Sequence, residues 1–530
     1  MNNASISMAD GPLSTTAEAR HVLEDVLSRW YVRRLLGWIS APRNGKSSLF
    51  VRLCENYAKP HARWTERLKW AAPNLLIDYG LKRARLDKEL MKKKLFHHGP
   101  TVRALNLTAR SIARYGLTAP QRFAAPLFVV WNITRACNLR CQHCYENATP
   151  KPEPGELTLA EKLKVVDELA SEGVPFLAIA GGEPLVSPDL YTVLRYAADR
   201  GIHLSLATNG TMLTPNNVER LKQAGVKYVE VSIDSLDPAQ HDEFRGHPGA
   251  WQKSIQGIKN SVAAGIRTGF AMCFTRDTVD RADEAVQLAI DLGCQTFSHF
   301  NFIPVGRGRE VVDYDLTPAQ REKLLEILFR RLQEGRINVI STAPQFARTC
   351  VALGSPDTLY ATGHAGSGQG TKTMVLSRYV GGCGAGRCYC AIQPNGDVTP
   401  CVYVPNDKVG SLKTQPLREV WDCALFAVLS DRSGLGGHCG VCDYQAYCGG
   451  CRARALAYTS DIRNGDPGCR YNEKLWEQIA RQTVREDLVQ IASAGAAQIW
   501  YHSTDERTKI FPENNGAGGR GSAVRTGASV

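Results

Sequence analysis

Cys137, Cys141 and Cys144 lie in the stretch Trp131-Asn-Ile-Thr-Arg-Ala-Cys-Asn-Leu-Arg-Cys-Gln-His-Cys-Tyr145, with the spacing C-x3-C-x2-C. Three thiolates on one short loop suit three irons of a 4Fe–4S cube. The fourth iron then has no protein ligand, and an open metal position is where a small molecule binds and reacts. Structural zinc loops usually pair C-x2-C units and close all four positions, so zinc is the weaker reading here. About 40 residues on, Gly181-Gly182-Glu183-Pro184 follows an apolar run. Two glycines let the backbone approach a ligand closely, and Glu183 brings an acceptor.

A second group of cysteines lies near the C-terminus. Its spacings are Cys383-x12-Gly396-x4-Cys401, then Cys439-x2-Cys442-x5-Cys448-x2-Cys451, then Cys469. Asn395-Gly396 within this group reads as a hairpin turn. A cluster of cysteines in a chain without a secretory start points to metal or redox chemistry rather than disulfides. Zinc is again the competing reading for the Cys439–Cys451 group.

The Cys137 loop and the Gly-Gly-Glu-Pro turn together resemble the radical S-adenosylmethionine (AdoMet, SAM) superfamily, over roughly residues 126–475. The resemblance implies a 4Fe–4S cluster on Cys137, Cys141 and Cys144, with AdoMet on its open iron. It implies reductive cleavage of AdoMet to a 5′-deoxyadenosyl radical, which abstracts a substrate hydrogen. It further implies that Gly181, Gly182, Glu183 and Pro184 hold the ammonium of AdoMet, and that Arg245 meets its carboxylate. The second cysteine group resembles the SPASM domain, which holds two auxiliary 4Fe–4S clusters. By that pattern Cys439, Cys442, Cys448 and Cys469 ligate one, and Cys383, Cys401 and Cys451 the other. Here two residues, not three, precede Cys451, and Cys388 and Cys390 are additional. The fourth ligand of the cluster with Cys383 is therefore left open between Cys388, Cys390 and none.

Gly382-Cys-Gly-Ala-Gly-Arg387, Cys448-Gly-Gly-Cys451 and Asp466-Pro-Gly-Cys469 look most like the branch of AdoMet-dependent haem synthases and haem d1 maturases. Members of that branch modify propionate side chains of tetrapyrroles. Sister branches modify ribosomal peptides, so a peptide- or lipid-modifying maturase is the alternative. A reading of another class is a non-catalytic iron–sulfur electron carrier or redox sensor, which would need no Gly181–Pro184 pocket. An enzyme of this kind implies a low-potential electron donor such as a flavodoxin or ferredoxin, and a small-molecule or peptide substrate.

The elements that must position these groups alternate strand and helix, as in a parallel α/β barrel. Strands are expected at residues 127–133, 176–180, 203–207, 228–233 and 267–274, and a short one at 338–341. Helices are expected at 159–172, 281–292 and 318–334. The fold class is thus α/β, a partial (βα)6 TIM-like barrel. Ligands in such barrels sit at the carboxyl ends of the strands. Asn209 in Thr208-Asn-Gly210, and Ser232 and Asp234 in Ser232-Ile-Asp234, are placed there to meet AdoMet or substrate. Arg307, between two glycines, is placed to meet an anionic substrate or to sit solvated in its loop.

The 530 residues are too many for one compact core and suggest several domains. The expected division is a basic helical extension at 1–122, a radical core at 123–345, a linker at 346–379 and the cysteine domain at 380–475. A C-terminal helix and disordered tail would follow at 476–530. The extension holds 22 Lys/Arg against 9 Asp/Glu, a net of +13, while the whole chain is +12. Val22, Leu23, Val26, Leu27 and Trp30 form an apolar stripe at helical spacing, and a second helix is expected over 81–95. No nucleic-acid module is evident in it. Basic residues interleaved with tryptophans suit either peripheral membrane contact or a helical collar on the barrel. The expected location is cytoplasmic, at the membrane periphery or free of it.

Overall fold

The protein is described by a computed structural model covering residues 24–41, 47–58, 64–83, 88–92, 96, 98–355, 358–361 and 367–482. Seven strands follow one another in space as they do in sequence. They are β1 (Phe128–Asn132), β2 (Phe176–Ala180), β3 (His203–Thr208), β4 (Val226–Ser232), β5 (Arg267–Cys273), β6 (Thr296–Phe300) and β7 (Asn338–Ser341). Each pairs in parallel with the next. Helices cover the crossovers, among them Leu159–Ser171, Pro215–Gln223, Ala250–Ala263 and Pro318–Gln333. Strands buried on both faces read as near-continuous apolar runs. Accordingly Val129, Trp131, Leu177, Ile179, Val229 and Phe270 are fully buried. Capping boxes set the starts of two crossover helices: Thr158 with Glu161, and Thr317 with Gln320 ahead of Pro318. Each cap is worth about 1 kcal/mol.

A short antiparallel pair follows, β8 (Leu359–Ala361) with β9 (Ser367–Gln369). It stands with the helices Gln345–Leu353 and Gly370–Val380 in the stretch expected as a linker. The cysteine-rich segment then contributes β10 (Tyr389–Ile392), β11 (Asp397–Thr399) and β12 (Gly410–Ser411). The β10–β11 hairpin turns at Asn395-Gly396 as expected, with Gly396 at φ 87°. β10 does not begin a separate sheet. It pairs in parallel with β1, Phe128 opposite Tyr389 and Trp131 opposite Ile392. The sheet therefore runs β12-β11-β10-β1-β2-β3-β4-β5-β6-β7, with β12 and β7 as its edges.

A buried charge network fastens the cysteine-rich segment to the barrel. Arg321, on the helix after β6, donates to Asp315 at 2.6 Å, and Arg454 donates to the other oxygen of the same carboxylate. The Tyr458 hydroxyl also donates to Asp315, at 2.7 Å. Arg454 reaches Asn301 at 2.7 Å and lies 3.7 Å from Asp466. All four charged groups are at most 1 % exposed. Burial alone would raise Asp315, but Arg454 and Arg321 more than reverse that and hold it below the ordinary carboxylate range.

The extension is helical but divides differently from the sequence expectation. Val22 and Leu23 lie outside the described residues. The stripe around Val26 and Trp30 faces solvent, and the chain stays helical through Trp30–Ser40 despite Arg33 and Arg34. Of the helix expected over 81–95, residues 81–83 end a helix Trp64–Arg83 and Lys88–Met91 form one helical turn, while 84–87 and 93–95 lie outside the described set. A small core of Val51, Cys54, Tyr57, Phe96 and Val102 holds these pieces together. The helix Gly99–Tyr115 is the collar. Arg110 pairs with Glu172 at 3.2 Å, Arg114 with Asp422 at 2.8 Å, and Leu107 packs with Ala124 and Ala125. A helix Glu473–Gln482 ends the described part; the expected tail lies beyond it.

Candidate active site

The cysteine loop leaves the carboxyl end of β1 and is held from several sides by backbone. Cys137 N–H donates to Thr149 O at 2.7 Å. Arg140 and Gln142 donate to Arg245 O and Phe244 O, at 3.1 and 2.9 Å. Those acceptors end the helix Pro238–Arg245, which Asp237 caps and which stops at Gly246 in the left-handed region. The Leu139 N–H points at Cys137 Sγ, 3.4 Å away.

The Gly181-Gly182 turn lies directly on this loop. Gly182 N–H donates to Thr134 O and Glu183 N–H to Ala136 O, both at 2.8 Å. Gly181 has φ 129°, and a Cβ there would lie 2.4 Å from Thr134 O. At Gly182 a Cβ would lie 2.1 Å from Ala136 O. The glycines therefore serve first to let the turn and the cysteine loop meet backbone to backbone.

Glu183 is fully buried. Its carboxylate accepts from Thr208 Oγ1 at 2.8 Å, Leu185 N at 3.1 Å and Asn209 N at 2.8 Å. A carboxylate has about four acceptor positions, so about one remains for a cation. Burial raises its pKa above the ordinary range, against those hydrogen bonds. Asn209 turns the other way. Its Nδ2 donates to Asn138 Oδ1 at 2.8 Å, and its Oδ1 accepts from Thr211. It thus ties the end of β3 to the residue after Cys137. Ser232 is half-buried at the end of β4.

Asp234 and Arg245 face each other at 2.6 Å, nearly fully buried. His143, one residue before Cys144, stacks on Phe244 with ring centroids 4.6 Å apart and lies 3.6 Å from Asp234. Burial lowers its pKa, against the pull of Asp234. Arg307 departs from both readings of the sequence. Its Nε donates to Cys141 O and its Nη1 to Ala148 O, both at 2.9 Å, and its N–H donates to Cys144 O. It braces the cysteine loop from the β6 side. Gly306 permits this at φ 58°, since a Cβ there would lie 2.4 Å from Cys144 O.

Burial pushes the Cys137 thiol up to about 12 and Cys141 to about 11. Such thiols ionise only against a cationic partner, which iron supplies. Around the same loop, the guanidinium donors Arg245 Nε and Arg307 Nη2 are buried without a hydrogen-bond partner, as is the acceptor Asp234 Oδ2 beside them. Orphaned buried donors are rare in proteins and call for a ligand. Anionic groups seated beside the three thiols would meet them, so the residues fit a cluster with AdoMet.

The C-terminal thiols fall into two neighbourhoods. Cys439, Cys442, Cys448 and Cys469 line one small pocket, with Arg348, His438 and Asn472. Cys439 Sγ accepts from Asp466 N at 3.4 Å and Asn472 Nδ2 at 3.6 Å, and Cys448 Sγ from Gly450 N at 3.3 Å. Hydrogen bonds to sulfur tune a cluster's potential. Cys401 and Cys451 share an apolar cluster with Ile303, Val305 and Tyr403. Cys383 lies close enough to both for its charge to act on Cys401 and Cys451, while its N–H donates across to Cys448 O of the other group at 3.0 Å. The Tyr389 hydroxyl accepts from Val402 N, so Tyr389 points at the Cys401 loop. Cys390, next in the strand, therefore faces the opposite side, where Cys423 is its neighbour. The bracing by Arg307, Asn138 and Thr208 was not anticipated. The Thr-Asn-Gly and Gly-Arg-Gly stretches are visible in sequence, but their targets lie far away along the chain.

Two family models match the chain: the radical SAM superfamily over residues 131–289, and the SPASM iron–sulfur cluster-binding domain over 383–452. The chain is 36% identical over 349 residues to an AdoMet-dependent heme synthase of Methanosarcina barkeri, covering 66% of this chain and 97% of that protein. It is 31% identical to a pre-heme d1 synthase of Dinoroseobacter shibae, covering 64% and 85%. It is 30% identical to the mycofactocin maturase MftC of Mycobacterium tuberculosis, covering 65% and 83%. Among solved structures, Streptococcus suis SuiB bound to its precursor peptide SuiA shares the fold, with a TM-score of 0.55 at 16% identity over 80% of this chain and 93% of that one.

Proposed function

Starting from a chain that belongs to the radical SAM superfamily and carries a SPASM domain, we propose that it is an oxidoreductase modifying the side chains of a tetrapyrrole. The observation that carries the substrate class is the match along 97% of a heme synthase. The enzyme is AdoMet-dependent and contains 4Fe–4S clusters. A reduced cluster held by these thiols would supply the electron for cleavage of AdoMet to methionine and a 5′-deoxyadenosyl radical, the species that would take a hydrogen atom from the substrate.

In this reading Cys137, Cys141 and Cys144 hold that cluster. Arg307 and the Gly181-Gly182 turn fix the backbone of the loop that carries the three thiols. Glu183 keeps one acceptor position for the AdoMet ammonium, and the orphaned Nε of Arg245 offers a donor to its carboxylate. Asp234 holds that guanidinium in place, and Ser232 and Asn209 close the strand-end rim. Cys439, Cys442, Cys448 and Cys469 hold one auxiliary cluster; Cys383, Cys401 and Cys451 hold another. A low-potential donor of the flavodoxin or ferredoxin kind reduces the enzyme, which works in the cytoplasm with peripheral contact to a membrane through its basic extension. Among the described residues no helix is long and apolar enough to cross a membrane.

The resemblance to MftC favours a second reading, a peptide substrate. One assay separates them. The reconstituted, reduced enzyme is given AdoMet with either a propionate-bearing tetrapyrrole or a peptide, and 5′-deoxyadenosine and substrate mass are followed. The proposal expects release stimulated by the tetrapyrrole, with a mass loss on it. Stimulation by the peptide alone would sink it.

A further inference from the structure

The large apolar side chains left exposed by the described residues are concentrated in the extension. On the helix Trp30–Ser40, Trp30 is 73% exposed, Trp38 60%, Leu35 56% and Tyr31 50%. At 3.6 residues per turn these four, with the exposed Arg34 among them, fall within an arc of about 140°. The other side of the helix does the packing. Gly37 approaches Ala113 of the collar helix, and Arg33 donates to Ala113 O and Arg114 O at 3.3 Å. Trp30, Tyr31, Arg34 and Leu35 lie away from that packing side. The helix Trp64–Arg83 repeats the pattern. Ile77 turns into the small core, while Leu68, Leu75 and Tyr79, on one stripe at i, i+7 and i+11, are each about two-thirds exposed.

Exposed apolar surface of this kind marks an interaction site, and charge selects the partner. The surrounding segment carries +13. A second copy would bring another +13 against it. An anionic leaflet offers the opposite sign, and an interfacial layer in which Trp and Tyr are favoured and an Arg can lie with its stem buried and its head among phosphates. We propose that the Trp30–Ser40 helix lays its aromatic face on the surface of an anionic phospholipid bilayer, with Leu68, Leu75 and Tyr79 as a second anchor. This rests on the peripheral-contact reading above and gives it a defined face. It would bring the active site to where an amphiphilic tetrapyrrole partitions.

The test is flotation of the full-length holoenzyme with phosphatidylcholine vesicles, with and without phosphatidylglycerol, at low and raised salt. Tryptophan emission is recorded alongside. The wild type is expected to float only with phosphatidylglycerol, to shift its emission to the blue, and to be released by salt. The Trp30→Ser/Leu35→Ser double variant should lose about tenfold or more of its partitioning, and Arg34→Glu should be weaker than wild type. These side chains are exposed, so melting temperature and AdoMet cleavage should stay unchanged in all variants. Failure of the wild type to float, or equal flotation of wild type and double variant, overturns the proposal. So does self-association that the double variant abolishes without any vesicle binding. A protein that floats but cleaves no AdoMet leaves this surface standing and removes the catalytic reading instead.

Discussion

Gly182→Ala is the sharpest probe of how the site is built. The added Cβ would lie 2.1 Å from Ala136 O, and 2.6 Å from both Ala136 C and Arg135 O. An ordinary contact between such atoms is about 3.3 Å, so the turn and the cysteine loop must separate by roughly 1.2 Å. Every clashing atom is backbone, and no side-chain rotation relieves the clash. The same separation stretches the 2.8 Å bonds from Gly182 N to Thr134 O and from Glu183 N to Ala136 O beyond hydrogen-bond range. Two backbone bonds at about 0.5–1.5 kcal/mol each give a loss of about 1–3 kcal/mol. A displacement near 1 Å at a reacting centre can cost about 100-fold in rate. The assay is anaerobic reconstitution, with iron content, melting temperature and 5′-deoxyadenosine release measured together. The variant should fold, melt a few degrees lower, keep the iron of its C-terminal sites and release 5′-deoxyadenosine about 100-fold more slowly. Gly434→Ala, with nothing within 4 Å of its Cβ, should match wild type. Wild-type cleavage by Gly182→Ala would refute the claim that backbone contact between turn and loop sets the site.

Replacing Cys137, Cys141 and Cys144 together by Ala should remove about four of about twelve irons and all 5′-deoxyadenosine; persistent release would show the radical chemistry lies elsewhere. Arg454→Met leaves the buried carboxylates of Asp315 and Asp466 short of a partner and should cost about 3–5 kcal/mol in urea unfolding, a loss below about 1 kcal/mol being incompatible with the network described. His299 is fully buried on Ser341 Oγ, and burial, with Arg321 and Arg454 nearby, lowers it to about 3. Its folded value lies below its unfolded one of about 6.5, so its contribution is whole above pH 6.5 and is lost as pH falls. Wild type should lose up to about 1.4 kcal/mol per pH unit more than His299→Asn below that point; parallel urea midpoints for the two between pH 6.5 and 5.5 would refute it.

The parts of the site that were legible in sequence are those made by neighbours in the chain. C-x3-C-x2-C and Gly-Gly-Glu-Pro are local, and β1 to β5 and β7 were each expected from a local apolar run, whereas β6 (Thr296–Phe300) was not. What Arg307 does was not legible, because its acceptors, Cys141 O and Ala148 O, lie about 160 residues away. Flanking glycines suggested an arginine free to reach a substrate, whereas Gly306 is there to admit the Cys144 carbonyl. Arg245 and Asp234 were each expected at the ligand, and the structure adds that they first meet each other. The sequence left the Trp30 stripe open between peripheral membrane contact and a packed collar, because helical periodicity says which residues share a face, not whether that face is covered. The linker reading of 346–379 missed two helices and a hairpin, the masking factor being a Gly/Ser/Thr-rich composition that resembles loop.

The pairing of β10 with β1 has a consequence for how the chain comes off the ribosome. Among the described residues β1 is the first strand synthesised, yet one of its two hydrogen-bonding edges is satisfied only by residues about 260 positions later. At about 5–20 residues per second that edge stays open for roughly 13–50 s. An unpaired edge of Phe-Val-Val-Trp is a template for pairing with another nascent chain. The strand that carries the cysteine loop is thus the last of the barrel strands to be sealed, and a ribosome stalling before Tyr389 would release a product whose exposed edge is its aggregation site.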